Sequence, residues 1–167
     1  DINHNNLCMD ENEIIKKTNK NTLAVFMTHV QGFNGLSSKL INFLKKKNIL
    51  LIEDVCESHG DTFKNRKLGT FGKISNFSFY YAHHMSTIEG GMVCTGSDEY
   101  AEMLRMVRAN GWDRNLTSEQ QSKWRKKFNI ESEFHGIYSF YDLGYNFRPT
   151  EITGFLGVVQ LKLLNEN

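Results

Sequence analysis

The sequence predicts an α/β fold, a mixed and mostly parallel sheet flanked by helices. Three observations carry this: short apolar runs at Thr22 to His29 and Ile49 to Ile52, a helical pattern between them, and polar groups where the runs stop. Placing charged side chains at the C-terminal end of a parallel strand is the usual way an open α/β sheet offers groups to a ligand.

Along the chain, Ile14 and Ile15 with the lysines after them predict a short helix, and Thr22 to His29 a buried strand. Gly32 and Gly35 mark a loop. Ser37 or Ser38 is placed to cap a helix with Leu40, Ile41 and Leu44 at i, i+1 and i+4, and Lys45 to Lys47 suit its C-terminal end. Ile49 to Ile52 forms the next strand and stops at Glu53-Asp54. Ser75 to Tyr81 alternates, with Phe77, Phe79 and Tyr81 on one face, and reads as a strand. Met92 to Thr95 is a short strand after Gly90-Gly91. Ser97-Asp98-Glu99 open a helix that carries Tyr100, Leu104 and Val107 at i, i+4 and i+7 and runs to about Ala109. Gly111 to Tyr138 is polar and without period, which predicts a long functional or partner-facing loop. Thr150 is placed to cap a last helix from Glu151 to about Leu164.

Composition narrows the function classes. At 167 residues and 40% hydrophobic content the chain can bury one sizeable core, and no composition shift marks an internal boundary, so one domain is expected. Twenty basic against nineteen acidic side chains leave a net charge of +1, which gives no global field for nucleic acid or a membrane surface. Apolar runs fall far short of the roughly 20 residues of a membrane span, and Asp1-Ile2-Asn3-His4 has no signal-peptide character, so a soluble, cytoplasmic protein is expected. Cys8, Cys56 and Cys94 contain no CxxC pair and are expected as reduced thiols. His29, Glu57 and His59 lack the HxxxH or HExxH spacing of a metal site, and no metal is expected.

Polar groups nevertheless collect at the strand ends: Thr28 and His29, Asp54 and Glu57, Ser78, His83 and His84, and later Asn146 and Arg148. Each alone has a structural explanation. Asp54 can cap a turn, a histidine is commonly a hydrogen-bonded core residue, Ser78 can simply be packed, and Gly90-Gly91 can be only a turn.

Together, Ile52-Glu53-Asp54-Val55-Cys56-Glu57-Ser58-His59-Gly60, Gly69-Thr70-Phe71-Gly72, Ser78-Phe79, Glu89-Gly90-Gly91-Met92-Val93 and Gly144-Tyr145-Asn146-Phe147-Arg148 resemble the sugar-nucleotide aminotransferases of the DegT/DnrJ type. The blocks occur in the family's order over residues 1–167. The resemblance implies a vitamin B6 enzyme and a piece of the large domain of the aspartate aminotransferase (fold type I) architecture. It implies that Asp54 pairs with the pyridine nitrogen of the cofactor, keeping it protonated so that the ring acts as an electron sink. Glu57 matches a position, usually glutamine, beside the phenolic oxygen. Ser78 matches a hydroxyl on the phosphate, and Asn146 an amide that reaches the phosphate of the neighbouring subunit, which implies a homodimer with shared active sites.

The catalytic lysine of those aminotransferases falls five residues after the serine, where this chain has His83. Imidazole cannot make lysine's covalent link to the cofactor. In this the chain resembles the deoxysugar 3-dehydratases, most of all the subgroup acting on GDP-4-keto-6-deoxymannose. The implied chemistry starts from pyridoxamine phosphate condensing with the C4 ketone of a nucleotide-linked sugar. A base, His83, removes a proton from the cofactor's C4′ carbon, and the C3 hydroxyl departs. Imidazole, with a reference pKa of about 6.5, suits that task. Hydrolysis then releases ammonia and leaves pyridoxal phosphate, to be re-aminated by glutamate. His84 and Arg114 are candidates for substrate contact. A related subgroup carries an iron–sulfur cluster on cysteines downstream of the histidine, and no cysteine follows Arg108 here, so no cluster is expected. The family's N-terminal phosphate loop, the aromatic residue that stacks on the cofactor and the C-terminal small domain are expected to lie outside these residues.

Overall fold

Helix α1 (Glu11–Lys17) begins where the Asp10 carboxylate accepts from the amides of Asn12 and Glu13. The computed structural model describes residues 1–164, which gather into two units: Asp1–Cys94 with the stretch from Glu151 onward, and Thr95–Thr150.

In the first unit, strand β1 (Ala24–Thr28) leads through a 3₁₀ turn at Val30–Gly32 to helix α2 (Ser38–Lys47). Ser37 is its cap, accepting from the Leu40 amide at 3.0 Å, and the Ser37 hydroxyl also donates to Glu11 of α1. The helix ends at Asn48, whose φ of 54° is left-handed. Leu40 and Leu44 are its buried positions, each stabilising the fold by roughly 1.5–3 kcal/mol. Strands β2 (Leu50–Asp54), β3 (Thr62–Phe63), β4 (Arg66–Lys67), β5 (Ile74–Ser78) and β6 (Gly91–Thr95) follow. The main sheet runs β1-β2-β5-β6, with β2 parallel to both β1 and β5, and β3-β4 is a small antiparallel hairpin.

Register decides what each face carries. Met27 pairs with Glu53 and Glu53 with Ser75, and all three are buried. Thr28 pairs with Asp54 and Asp54 with Asn76, a row on the opposite face that joins the C-terminal ends of β1 and β2 to the middle of β5. Val25, Met27 and Leu51 join Leu36, Leu40, Leu44 and Val55 in the core, whereas Phe26 on the other face is 50% exposed. The buried run expected from Thr22 to His29 is therefore a half-buried strand of five residues, covered on one side only.

Strand β5 also stops earlier than the alternation predicts. The Ser78 hydroxyl accepts from the Tyr80 amide at 3.3 Å and His83 N–H donates to the Tyr80 carbonyl at 3.1 Å, so the chain turns and leaves Tyr81 exposed. Local side-chain capture of the backbone overrides the period-2 pattern there.

The second unit contains α3 (Asp98–Val107), α4 (Ser118–Lys127) and α5 (Glu133–Ile137). The last two correct the expectation of a long loop from Gly111 to Tyr138. Helix α4 has a capping box, Thr117 with Gln120, but no apolar stripe. It is held instead by two buried acids. Glu102 of α3 accepts from Trp124 Nε1 at 3.1 Å and from Lys123 and Gln120 at 3.3 Å, and Asp113 accepts from Arg125 Nε at 2.8 Å. A helix docked by polar contacts leaves no hydrophobic period in the sequence.

The chain returns to the first unit with α6 (Glu151–Leu163), whose Ile152, Phe155 and Val158 are exposed. Among the described residues, no helix is long and apolar enough to cross a membrane.

Candidate active site

The two acids that end β2 go to opposite sides of the sheet and do different work. Glu53, fully buried, accepts from the amides of Gly69 at 2.8 Å, Phe71 at 2.7 Å and Gly72 at about the same range. His29 Nδ1 accepts from the Gly35 amide at 3.1 Å, which puts the ring hydrogen on Nε2, 3.4 Å from Glu53 Oε1. Burial alone would push the Glu53 carboxyl up, but His29 and the three amides outweigh it and hold the group below its ordinary value. This explains the Gly69-Thr70-Phe71-Gly72 run. Its amides form a cradle, and a Cβ at Gly72 would stand 2.7 Å from the Leu51 carbonyl oxygen.

Asp54 faces the other way. Its Oδ1 accepts from Asn76 Nδ2 at 2.9 Å and from the Cys56 amide at 3.2 Å, while Oδ2 has the Thr28 hydroxyl at 3.5 Å. Burial, reinforced by the Asp54 charge, pushes the Cys56 thiol up to about 12, so it stays protonated and adds no second anion. Glu57 Oε2 accepts from the Gln31 amide at 2.8 Å, fixing a residue with φ of 50°. Ser78 lies two positions beyond Asn76 on the same strand face.

His83 and His84 sit in the turn after β5, His83 half-buried and His84 exposed. The His59 ring lies against both, at centroid distances of 6.3 and 5.7 Å, and against Phe77 and Phe79 at 5.8 and 5.9 Å, with Tyr80 edge-on to His83 at 5.9 Å. Burial first, then His84 and His83, pushes the His59 imidazole down to about 4, and its buried Nε2 has no hydrogen-bond partner among the described residues. An unfolded chain takes up a proton at His59 near pH 6.5, which the folded chain refuses. Stability is therefore expected to fall as pH drops from about 6.5 to about 4 through this group, and a histidine ring NMR titration should show His59 neutral throughout the range above about 5. A His59 signal that titrates near 6.5 would contradict the burial argument.

The remaining expected residues belong to the second unit. Asn146 is exposed, bridges Ala109 through the backbone and accepts from Arg148 Nε at 2.9 Å, which leaves its amide hydrogens for another acceptor. Arg114 stacks on Trp112 at 3.8 Å and Tyr138 at 5.1 Å and donates through Nε to the Ile137 carbonyl. Among the described residues, no group of three or more His, Cys, Asp or Glu is arranged to hold a metal ion.

Sequence reasoning missed Asn76 and the contact of His59 with His83. Asn76 was accessible, because the alternation that put Phe77 on one face put Asn76 and Ser78 on the other. The His59 contact joins residues 24 positions apart, and no local pattern encodes it.

Residues 1–167 match the model of the DegT/DnrJ/EryC1/StrS aminotransferase family. The chain is 35% identical over 164 residues to a GDP-4-keto-6-deoxy-D-mannose 3-dehydratase of Escherichia coli O55:H7 (strain CB9615 / EPEC), covering 98% of this chain and 42% of that protein. It is similar to the crystal structure of GDP-4-keto-6-deoxymannose-3-dehydratase with a trapped PLP-glutamate geminal diamine, with a TM-score of 0.86, 36% identity, and coverage of 99% of this chain and 42% of that one. The E. coli enzyme with bound hydrated PLP gives a TM-score of 0.85, 37% identity and the same coverage. The chain thus spans about 42% of the length of these relatives, and the mostly parallel α/β architecture is that of the fold type I large domain.

Proposed function

Because the chain belongs to the DegT/DnrJ/EryC1/StrS aminotransferase family, we propose that the full-length protein is a pyridoxamine/pyridoxal phosphate-dependent dehydratase. It removes the C3 hydroxyl of a nucleotide-linked 4-keto-6-deoxyhexose in deoxysugar biosynthesis and is re-aminated by glutamate. The observation that carries the reading is His83, five residues after Ser78, where the transaminating relatives of the resemblance have lysine. The named 3-dehydratases at 35–37% identity support it.

The residues present fit the cofactor. Asp54 offers a carboxylate oxygen, Oδ2, that accepts from the Thr28 hydroxyl at 3.5 Å, beside a thiol that stays neutral. Ser78, at the end of the adjacent strand, offers a hydroxyl suited to a phosphate oxygen. Bound there, pyridoxamine phosphate would supply an amine for the sugar ketone and a ring that accepts electron density.

The protein's own groups do the rest. Asp54 holds a proton on the ring nitrogen by pairing with it. His83 takes a proton from the cofactor's C4′ carbon as a general base and returns one to the departing C3 oxygen, which imidazole can do near neutral pH and an ammonium cannot. His84 and Arg114 are assigned to substrate contact, the aromatic stack on Arg114 fixing its charge in place. Glu57 keeps one oxygen for the turn at Gln31 and with the other would accept from the cofactor's phenolic O–H. The amide of Asn146 reaches the phosphate of a neighbouring subunit, making the enzyme a homodimer that shares its sites.

Product analysis tests this. Full-length protein incubated with a GDP-4-keto-6-deoxyhexose, pyridoxal phosphate and glutamate is expected to release ammonia and a 3-deoxy ketosugar. A 4-amino sugar as the main product would overturn the reading in favour of a transaminase.

A further inference from the structure

The row Thr28–Asp54–Asn76 treats the two oxygens of Asp54 unequally. Among the described residues, Oδ1 carries two donors, Asn76 Nδ2 at 2.9 Å and the Cys56 amide at 3.2 Å, and Oδ2 carries one, the Thr28 hydroxyl at 3.5 Å. With both donors on one oxygen, the carboxylate cannot turn about its own axis without giving up a hydrogen bond. The amide of Asn76 is itself fixed in sense. Reversed, its oxygen would meet Asp54 Oδ1, acceptor against acceptor. In the observed sense Nδ2 also lies 3.2 Å from Cys56 Sγ, and Asn76 Oδ1 is left buried with no partner among the described residues. A half-buried side chain whose amide oxygen is shut from solvent and unsatisfied gains little as packing, since an apolar side chain of similar size would avoid that cost.

We infer that Asn76 is a positioning residue: it locks the plane of the Asp54 carboxylate and keeps Oδ2 as the oxygen presented to a cationic ring N–H. This rests on the cofactor reading above, which makes that N–H the protonated pyridine nitrogen. Thr28 supports the same oxygen from the other neighbouring strand, so the three residues act as one row.

Valine and threonine have the same shape and suit a strand, and they differ here by one donor hydroxyl. The test therefore compares full-length Asn76→Val with Asn76→Thr, using pyridoxal 5′-phosphate labelled with ¹⁵N in the ring. In Asn76→Val the cofactor dissociation constant is expected to rise about tenfold, the loss of one hydrogen bond to a charged group. The ring ¹⁵N resonance should move toward the unprotonated position, with the thermal midpoint nearly unchanged. Asn76→Thr is expected to recover most of both. Equal affinity and equal ¹⁵N shifts in Val, Thr and wild type would overturn the inference, as would a loss confined to thermal stability. Should neither variant fold, wild type alone decides: the ¹⁵N-labelled side-chain amide of Asn76 is expected to shift when the cofactor loads, and an unmoved signal overturns the assignment. The readouts are independent of turnover. Formation of a 4-amino sugar would sink the dehydratase reading and leave Asn76 standing, whereas unaltered cofactor signals would do the reverse.

Discussion

Full-length protein carrying His83→Lys is expected to lose dehydration by at least about 100-fold, the lower end of what a positioned general base contributes. It should also acquire a borohydride-reducible bond to its cofactor. Both effects come from one change in chemistry. A lysine amine is protonated near neutral pH, with a reference pKa of about 10.4, and is a poor base until it loses that proton. Once neutral, it attacks the cofactor aldehyde and occupies the carbon from which a proton must be removed. His83→Asn separates the two effects: the base is lost, no covalent link forms, and the cofactor should still leave on dialysis. Mass spectrometry after borohydride reduction reads the link, and chromatography of the sugar nucleotides reads dehydration. Undiminished 3-deoxy sugar formation in either variant would show that His83 is not the base.

Glu53→Gln is expected to destabilise the full-length protein by about 3–5 kcal/mol, the usual result of removing one partner from a buried charged network. The amide keeps the shape of the carboxylate but turns an NH₂ group toward a cradle whose Gly69, Phe71 and Gly72 groups are all donors. The urea midpoint measures it. The pH dependence follows from the direction of the shift: Glu53 is held below the ordinary glutamate value of about 4.3, so its contribution is complete above that pH. It is lost as pH falls through the lower folded value. Wild type should therefore lose its advantage over Glu53→Gln in acid, and a difference that stays constant with pH would show that charge is not the cause. Asp54→Asn, one residue on, should leave the midpoint nearly unchanged and weaken cofactor binding instead.

Much of this was legible in the sequence, for identifiable reasons. Strand β2 and helix α2 were readable because each buries a regular stripe, and Ser37, Lys45, Lys46 and Lys47 mark the helix ends by electrostatics and capping that act within one turn. Helix α4 was not, although Thr117 and Gln120 spell its capping box, because it docks through Lys123, Trp124 and Arg125 onto buried acids and shows no apolar period. At the candidate site, Asp54, Ser78 and His83 were named through the resemblance to the DegT/DnrJ family. The placement of Asn76 beside Asp54 and of His59 against His83 depends on strand register and on a turn that folds back, neither of which is written in any one segment. Glu53 and Asp54 looked like a pair of charges at a strand end. Alternation had already separated them, but only the partners of each revealed the difference.

That separation makes the phase of β2 a component of the chemistry. Deleting a single residue within the strand ahead of Glu53 would turn both acids over, bringing Asp54 to the register position that faces the amide cradle and Glu53 to the opposite face beside Phe26 and Ile74. Folding and cofactor affinity would fail in one event, without either acid being mutated. A two-residue deletion restores the facing of both acids and sets Asp54 one pleat back along the strand, beside Phe26 and Ile74. Scanning deletions through β2 should therefore give an odd–even pattern, a signature that neither acid produces when substituted alone.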